Sequence, residues 1–133
     1  RRDPLAVERR ALNALDGLKV IDLTWALVGP TSTRVLADFG ATVVHVETTT
    51  RTDPARTAPP FLNGEPGPER SGGFANFNAG KFGITLDLAN PAGRALFLRL
   101  VEWADALVES FTPNVMPSLG LDYASLEKVN PNS

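Results

Sequence analysis

Apolar residues follow two rhythms along this chain. Over 19–23 (KVIDL) and 42–46 (TVVHV) they form short runs without helical spacing, which predicts strands buried on both faces of a parallel sheet. Between these runs, Val35, Leu36 and Phe39 fall at helical intervals and predict an apolar stripe on a helix. Pro30 suits the first position of that helix, where its missing N–H costs nothing, and Gly40 suits a left-handed end.

The rhythm breaks over 48–83. Pro54, Pro59, Pro60, Pro66 and Pro68 are interleaved with Gly64, Gly67, Gly72, Gly73, Gly80 and Gly83, too many breakers for a helix or a central strand. A loop of this length inside a compact domain is usually functional or mobile. Its later part, FANFNAGK over 74–81, has the aromatic and amide character to pack back on the body or on a ligand. A third strand is expected over 84–88. Asn90 then offers an N-cap and Pro91 a first helical turn, so a helix is expected to run to about Trp103. Its Leu96, Leu100 and Trp103 lie beside Phe97, Val101 and Ala104, a face wide enough to cover a sheet. A fourth strand over 106–108 and short helices over 113–118 and 123–129, either side of Gly120, continue the alternation. The fold class expected is therefore α/β, a Rossmann-like parallel sheet with flanking helices and right-handed crossovers, without internal repeats.

Residues 1–14 read as an N-terminal arm or linker, because the charge run RRDPLAVERR is most simply a solvated face. The domain is placed at 15–133. Arg1 in place of Met, and an Asn-Pro pair at 130–131 that usually punctuates a helix end, make both ends look cut.

Composition narrows the partners. At 133 residues the chain can bury a core without disulfides or metal. A net charge of −2 supplies no broad basic surface, so neither nucleic acid nor an anionic membrane is expected as a partner, and any bound anion must be held locally. The absence of cysteine excludes a disulfide framework, an iron–sulfur cluster, a thiolate nucleophile and a cysteine-based zinc site. No apolar run approaches the roughly 20 residues of a membrane span, and no signal-peptide core is present near the start, so a cytoplasmic location is expected. His45 is the single histidine and sits within a strand; a structural role and no metal are expected.

In an open parallel sheet ligands bind beyond the carboxyl ends of the strands. Here those ends are 24–30, 47–56, 86–89 and 109–114. The first, TWALVGP, has one glycine followed by a proline rather than G-x-G-x-x-G, which disfavours NAD or FAD. Glu47 imitates a ribose-binding carboxylate, but equally suits a helix cap or a pair with Arg56. Trp25 suits either a ligand stack or the core; Phe77 and Phe111 suit the core.

Taken in order, LKVIDL (18–23), Gly29-Pro30, LADFGA (36–41), VVHVE (43–47), NAGK (78–81), LDL (86–88), Ala104-Asp105, LVESF (107–111), LGLDY (119–123) and Asn130-Pro131 resemble the N-terminal part of the family III CoA transferases. That family includes formyl-CoA transferase, carnitine CoA-transferase and α-methylacyl-CoA racemase. The resemblance spans about residues 15–133. It implies coenzyme A, carried as acyl-CoA, and a carboxylic acid as substrates, and an interlocked homodimer.

The resemblance also implies roles. The segment Trp25, Ala26, Leu27, Val28 and Gly29 would lie along CoA and its thioester. Thr48, then Leu86, Asp87, Leu88 and Ala89, then Ser110, Phe111 and Thr112 would line the adenine, ribose and phosphates. Several positions depart from the family: Thr48 and Ser118 stand where arginine occurs, Ala89 where lysine is common, Phe82 and Gly83 where a basic residue and serine are usual, and Ser110 where asparagine is usual. Arg56, Lys81 and helix N-terminal amides are left to meet the phosphates, although Lys81 equally suits a solvated lysine. The family's nucleophilic aspartate, which forms an acyl anhydride and then a CoA thioester, would fall beyond Ser133, and none of Asp22, Asp38, Asp53, Asp87, Asp105 or Asp122 matches it. Other readings are a non-catalytic member or duplicated half serving assembly, and the racemase branch with its His and Asp pair.

Overall fold

The computed structural model describes residues 13–131; most of the expected arm, residues 1–12, lies outside them. Four strands, β1 (Lys19–Leu23), β2 (Thr42–Glu47), β3 (Phe82–Thr85) and β4 (Ala106–Glu109), form one sheet. Its order is β3-β2-β1-β4 and every pairing is parallel. The helices are α1 (Val28–Asp38), α2 (Gly72–Phe77), α3 (Pro91–Trp103), α4 (Val115–Ser118) and α5 (Tyr123–Val129). The expected α/β fold is what forms.

The continuous apolar runs of β1 and β2 have the cause the sequence suggests: both faces of the sheet are covered. Ile21, Leu23 and Val46 point into one core with Phe97 and Val101 of α3 and Leu126 of α5, while Val20, Ala41 and Val43 build a second core with Leu36 and Ala37 of α1.

Several boundaries differ from expectation. α1 begins two residues before Pro30, and the first helical bond runs from the Thr31 N–H to the Leu27 carbonyl. Proline is still tolerated, since the first helical N–H groups have no intrahelical partner. Pro30 and Thr33 are the buried residues of α1, while Val35 and Phe39 of the expected stripe are largely exposed. The breaker-rich loop does contain a helix, α2, against expectation. The Ser71 hydroxyl caps it by accepting the Phe74 N–H at 3.2 Å, and itself donates to the Ala55 carbonyl at 2.6 Å, so a tertiary partner holds the cap in place.

β3 starts and ends earlier than expected, because its register against Val44–Glu47 begins at Phe82. Leu86, Asp87 and Leu88 are thereby released into the loop that follows. β3 lies at the sheet edge with all four residues exposed. α3 is capped as expected, the Asn90 side chain accepting the Ala92 N–H at 2.9 Å. Phe97 and Val101 are buried, whereas Leu96 is half exposed, so the apolar face is only partly covered. No helix among the described residues is long and apolar enough to cross a membrane.

Gly93, in the first turn of α3, is packed on the Asp87 backbone, and a Cβ there would collide with the Asp87 carbonyl. Gly93→Ala is therefore expected to lower stability by about 1–3 kcal/mol in urea denaturation, overriding the ~1 kcal/mol by which alanine favours a helix.

Candidate functional site

The loop leaving β1 is held from beneath by a buried carboxylate. Asp22 is fully buried and accepts the Thr24 N–H at 2.8 Å, the Thr33 hydroxyl at 2.7 Å and the Lys81 ammonium at 2.8 Å. His45 Nδ1 lies 3.2 Å from the same carboxylate, which can only accept, so Nδ1 carries the proton. Burial alone would raise the Asp22 pKa; the bonds from His45, Lys81 and Thr24 outweigh it and hold the carboxyl far below the usual range. The opposite balance applies to Lys81. Burial lowers its pKa, and the Asp22 bond and the charges of Asp22 and Asp53 recover only part of the shift.

Lys81 is thus neither a solvated lysine nor a cation open to the cavity side of the strand-end loops. Its side chain is 1% exposed, and its ammonium also donates to the Pro30 carbonyl and to Asn78 Oδ1. His45 is buried and structural, as expected from its place in β2.

A second carboxylate fixes the next residues of the same loop. Asp53, 1% exposed, accepts the Ala26 N–H with both oxygens, at 3.1 and 3.3 Å, and the Ala55 N–H at 2.8 Å. Ala26 has φ of 67°, a left-handed conformation that costs a non-glycine residue about 1–2 kcal/mol. Gly29, three residues on, packs so closely on Thr24 that a side chain there would collide with it. Asp53 was not singled out from sequence, although an aspartate preceding Pro54 is an N-cap signal for the 3-10 turn Pro54–Thr57 that it opens.

Glu47 resolves as the partner of Arg56. The guanidinium donates from Nε and Nη2 to the two carboxylate oxygens at 2.8 and 2.7 Å, and from Nη1 to Glu69 at 2.8 Å, while stacking 3.6 Å over the Phe74 ring. The Glu47 pKa, which burial would raise, is lowered by this bond and charge. Arg56 is accordingly a clamp on the 48–81 loop.

Above these supports the loops after all four strands meet around a cavity of about 310 Å³. Trp25 comes from the end of β1, Thr48, Thr50 and Arg51 from β2, Leu86, Asp87, Leu88 and Ala89 from β3, and Phe111 from β4. Trp25 meets Phe111 edge to face, with ring centroids 6.3 Å apart, and the Arg51 guanidinium lies 5.3 Å over the Trp25 ring. Phe111 also packs against the larger core, so it both supports the cavity and lines it. A larger, more open hollow of about 460 Å³ lies along the exposed side of β3 and α3, between Ile84, Leu96 and Trp103. We favour the smaller cavity as the site because it alone gathers the carboxyl ends of all four strands.

Of the residues proposed from sequence, Trp25, Thr48, Leu86, Asp87, Leu88, Ala89 and Phe111 line this cavity together. Ser110 stands behind it, its hydroxyl accepting the Trp25 N–H at 3.2 Å. The Thr112 carbonyl accepts the Val115 N–H at the entry to α4. Ala26, Leu27, Val28 and Gly29 lie beside the cavity at the start of α1, where Val28 is 77% exposed and no side chain caps the helix. Arg56 and Lys81 lie elsewhere. Arg51 was missed, since an arginine in a threonine-rich loop has no local signature. Among the described residues no group of three or more His, Asp or Glu is placed to hold a metal ion.

Residues 15–132 match the family model for CoA-transferase family III. The chain is 42% identical over 116 residues to acetyl-CoA:oxalate CoA-transferase of Acetobacter aceti, covering 87% of this chain and 28% of that protein. It is 41% identical over 121 residues to succinyl-CoA:mesaconate CoA-transferase of Haloarcula hispanica, covering 91% and 30%. Among solved structures, a CAIB/BAIF family protein from Brucella suis superposes with a TM-score of 0.78 at 40% identity, covering 89% of this chain and 31% of that one. A hypothetical protein from Mycobacterium tuberculosis gives 0.77 at 36%, covering 90% and 32%. The chain thus spans less than a third of the length of these relatives. Within that span the agreement runs from before β1 to the end of α5, and the chain belongs to CoA-transferase family III.

Proposed function

We propose that this chain forms the CoA-binding portion of an acyl-CoA transferase, which moves CoA between an acyl-CoA and a carboxylic acid. The observation that carries this reading is the cavity at the strand ends, walled by Trp25 and Phe111 and floored by Leu23 and Leu86, with the uncapped start of α1 beside it. Aromatic and apolar walls suit a nucleobase and a pantetheine arm, and backbone amides at a helix start suit anionic oxygens. In this reading the described residues bind and orient CoA. An aspartate beyond Ser133 attacks the thioester carbonyl and expels the CoA thiolate. That thiolate attacks the aspartyl carbonyl of the resulting anhydride, releasing the first acid and leaving CoA as an aspartyl thioester. The second acid's carboxylate then runs the two steps in reverse, leaving as the new acyl-CoA and freeing the aspartate. The protein works as a cytoplasmic homodimer.

Calorimetric titration with CoA, with NAD as control, tests the reading. Saturable binding of CoA and none of NAD is expected. Trp25→Ala is expected to weaken CoA about 5- to 150-fold, the range of about 1–3 kcal/mol for stacking a base on an aromatic ring. No saturable binding by the folded chain overturns the reading. One observation favours a rival, a non-catalytic module serving assembly: Lys81 and Arg56 are both taken up by internal carboxylates. That rival requires the titration to fail.

A further inference from the structure

We propose that Arg51 is the specificity-determining cation of the strand-end cavity, holding a phosphate of the ligand while Trp25 receives its flat ring. The inference rests on the CoA reading and names the contact through which the site would tell a phosphorylated ligand from an uncharged one. Among the described residues that line the cavity, Arg51 is the only lysine or arginine. Three other cations near these loops are engaged within the protein: Lys81 by Asp22, Arg56 by Glu47 and Glu69, and Arg94 by the Leu119 carbonyl at 2.7 Å. Arg51 makes no ion pair among the described residues; its guanidinium lies over the Trp25 ring.

That position has a chemical consequence. Of the two carboxylates of the cavity, Glu47 is bonded by Arg56 and Asp87 accepts the Ala89 N–H, and no ion pair among the described residues joins either to Arg51. A guanidinium over an aromatic face has its N–H donors in its own plane, where they remain free to grip phosphate oxygens at the rim. Trp25 itself is held by an edge-to-face contact with Phe111 and by its backbone N–H on the Ser110 hydroxyl. An incoming ring that stacks on this face of Trp25 therefore meets Arg51 and displaces the guanidinium towards its own phosphates, since 5.3 Å leaves no room for a ring between the two.

The test is the salt dependence of CoA affinity for the wild-type chain, Arg51→Ala, Arg51→Lys and Arg51→Glu, at about 20 and about 200 mM salt, where the Debye length falls from roughly 20 to roughly 7 Å. Arg51→Ala is expected to bind CoA at least about tenfold more weakly at low salt and to approach wild type at high salt. Arg51→Lys should fall between the two, because an ammonium keeps the charge without the planar fork, and Arg51→Glu should be weaker than Arg51→Ala. Loss by the same factor at both salt concentrations and in all three variants overturns the proposal, since only packing on Trp25 would then be at stake. Unchanged CoA binding by Arg51→Ala, with Trp25→Ala weakened, overturns the role of Arg51 and leaves the CoA reading standing. Failure of the wild-type chain to bind CoA overturns both.

Discussion

Asp22→Ala is expected to destabilise the chain by about 3–5 kcal/mol, measured as the shift in a denaturant unfolding curve, because it leaves the buried Lys81 ammonium without its counter-charge. The Thr24 and Thr33 hydroxyls and His45 Nδ1 lose their common acceptor in the same step. The effect belongs to the pair rather than to the aspartate. Removing the stranded ammonium as well, Asp22→Ala with Lys81→Met, should recover part of the loss, and the double variant is expected to be more stable than Asp22→Ala. Acid carries the same signature. The folded-state pKa of Asp22 is depressed, so the unfolded chain binds more protons as pH falls towards the ordinary carboxylate range. The stability that Asp22 contributes is present above about pH 4 and is lost progressively below it. Glu47, also depressed, acts with the same sign. A series of Tm against pH should steepen on the acid side for wild type and flatten for Asp22→Ala.

Arg56→Ala should cost less in global stability but more in loop order. It strands Glu47 beside His45 and removes the guanidinium that lies on Phe74 and ties Glu69 and the Pro68 carbonyl to β2. A loss of about 2–3 kcal/mol is expected, less than the roughly 3–5 kcal/mol for breaking a fully buried pair, because the Glu69 side of the cluster is open to water. Limited proteolysis should then cut within 58–70 faster than in wild type. Arg56→Lys should rescue little: an ammonium cannot make the two parallel bonds to Glu47 and stack on the ring at once. Cleavage at wild-type rates in Arg56→Ala would show that the loop is held by Ser71 and its partners instead.

What the chain's pattern announces, and what it hides, follows from the range of each interaction. β1 and β2 are legible because burial on both faces leaves an unbroken apolar run. The caps at Asn90 and Asp122 are legible because donor and acceptor lie two or three residues apart. Register is not local: β3 is placed by its pairing with Val44–Glu47, so Leu86 to Leu88 look like strand and fold as loop. Lys81 misleads for the same reason, since a lysine after Asn78, Ala79 and Gly80 gives no sign that its partner is an aspartate 59 residues earlier. The site was legible as a place, because strand ends in a parallel sheet are its common ligand edge, and seven of the named residues do meet there. It was not legible as a charge distribution: which arginine faces the cavity, Arg51 or Arg56, depends on Glu47 claiming one of them.

The strand order has a kinetic side. β1 sits between β2 and β4, so the first of the described strands in sequence is completed by the last: Leu23 pairs with Glu109, and Lys19 exchanges bonds with Asp105, 86 residues away. Until β4 docks, one whole edge of the most buried strand stands open, and the entropy of closing that long span must be met before its pairing contributes anything. On that ground the β1–β2 pair and its helix are expected to form early and locally, and the cavity, which needs Trp25 against Phe111, only after β4 has docked on β1.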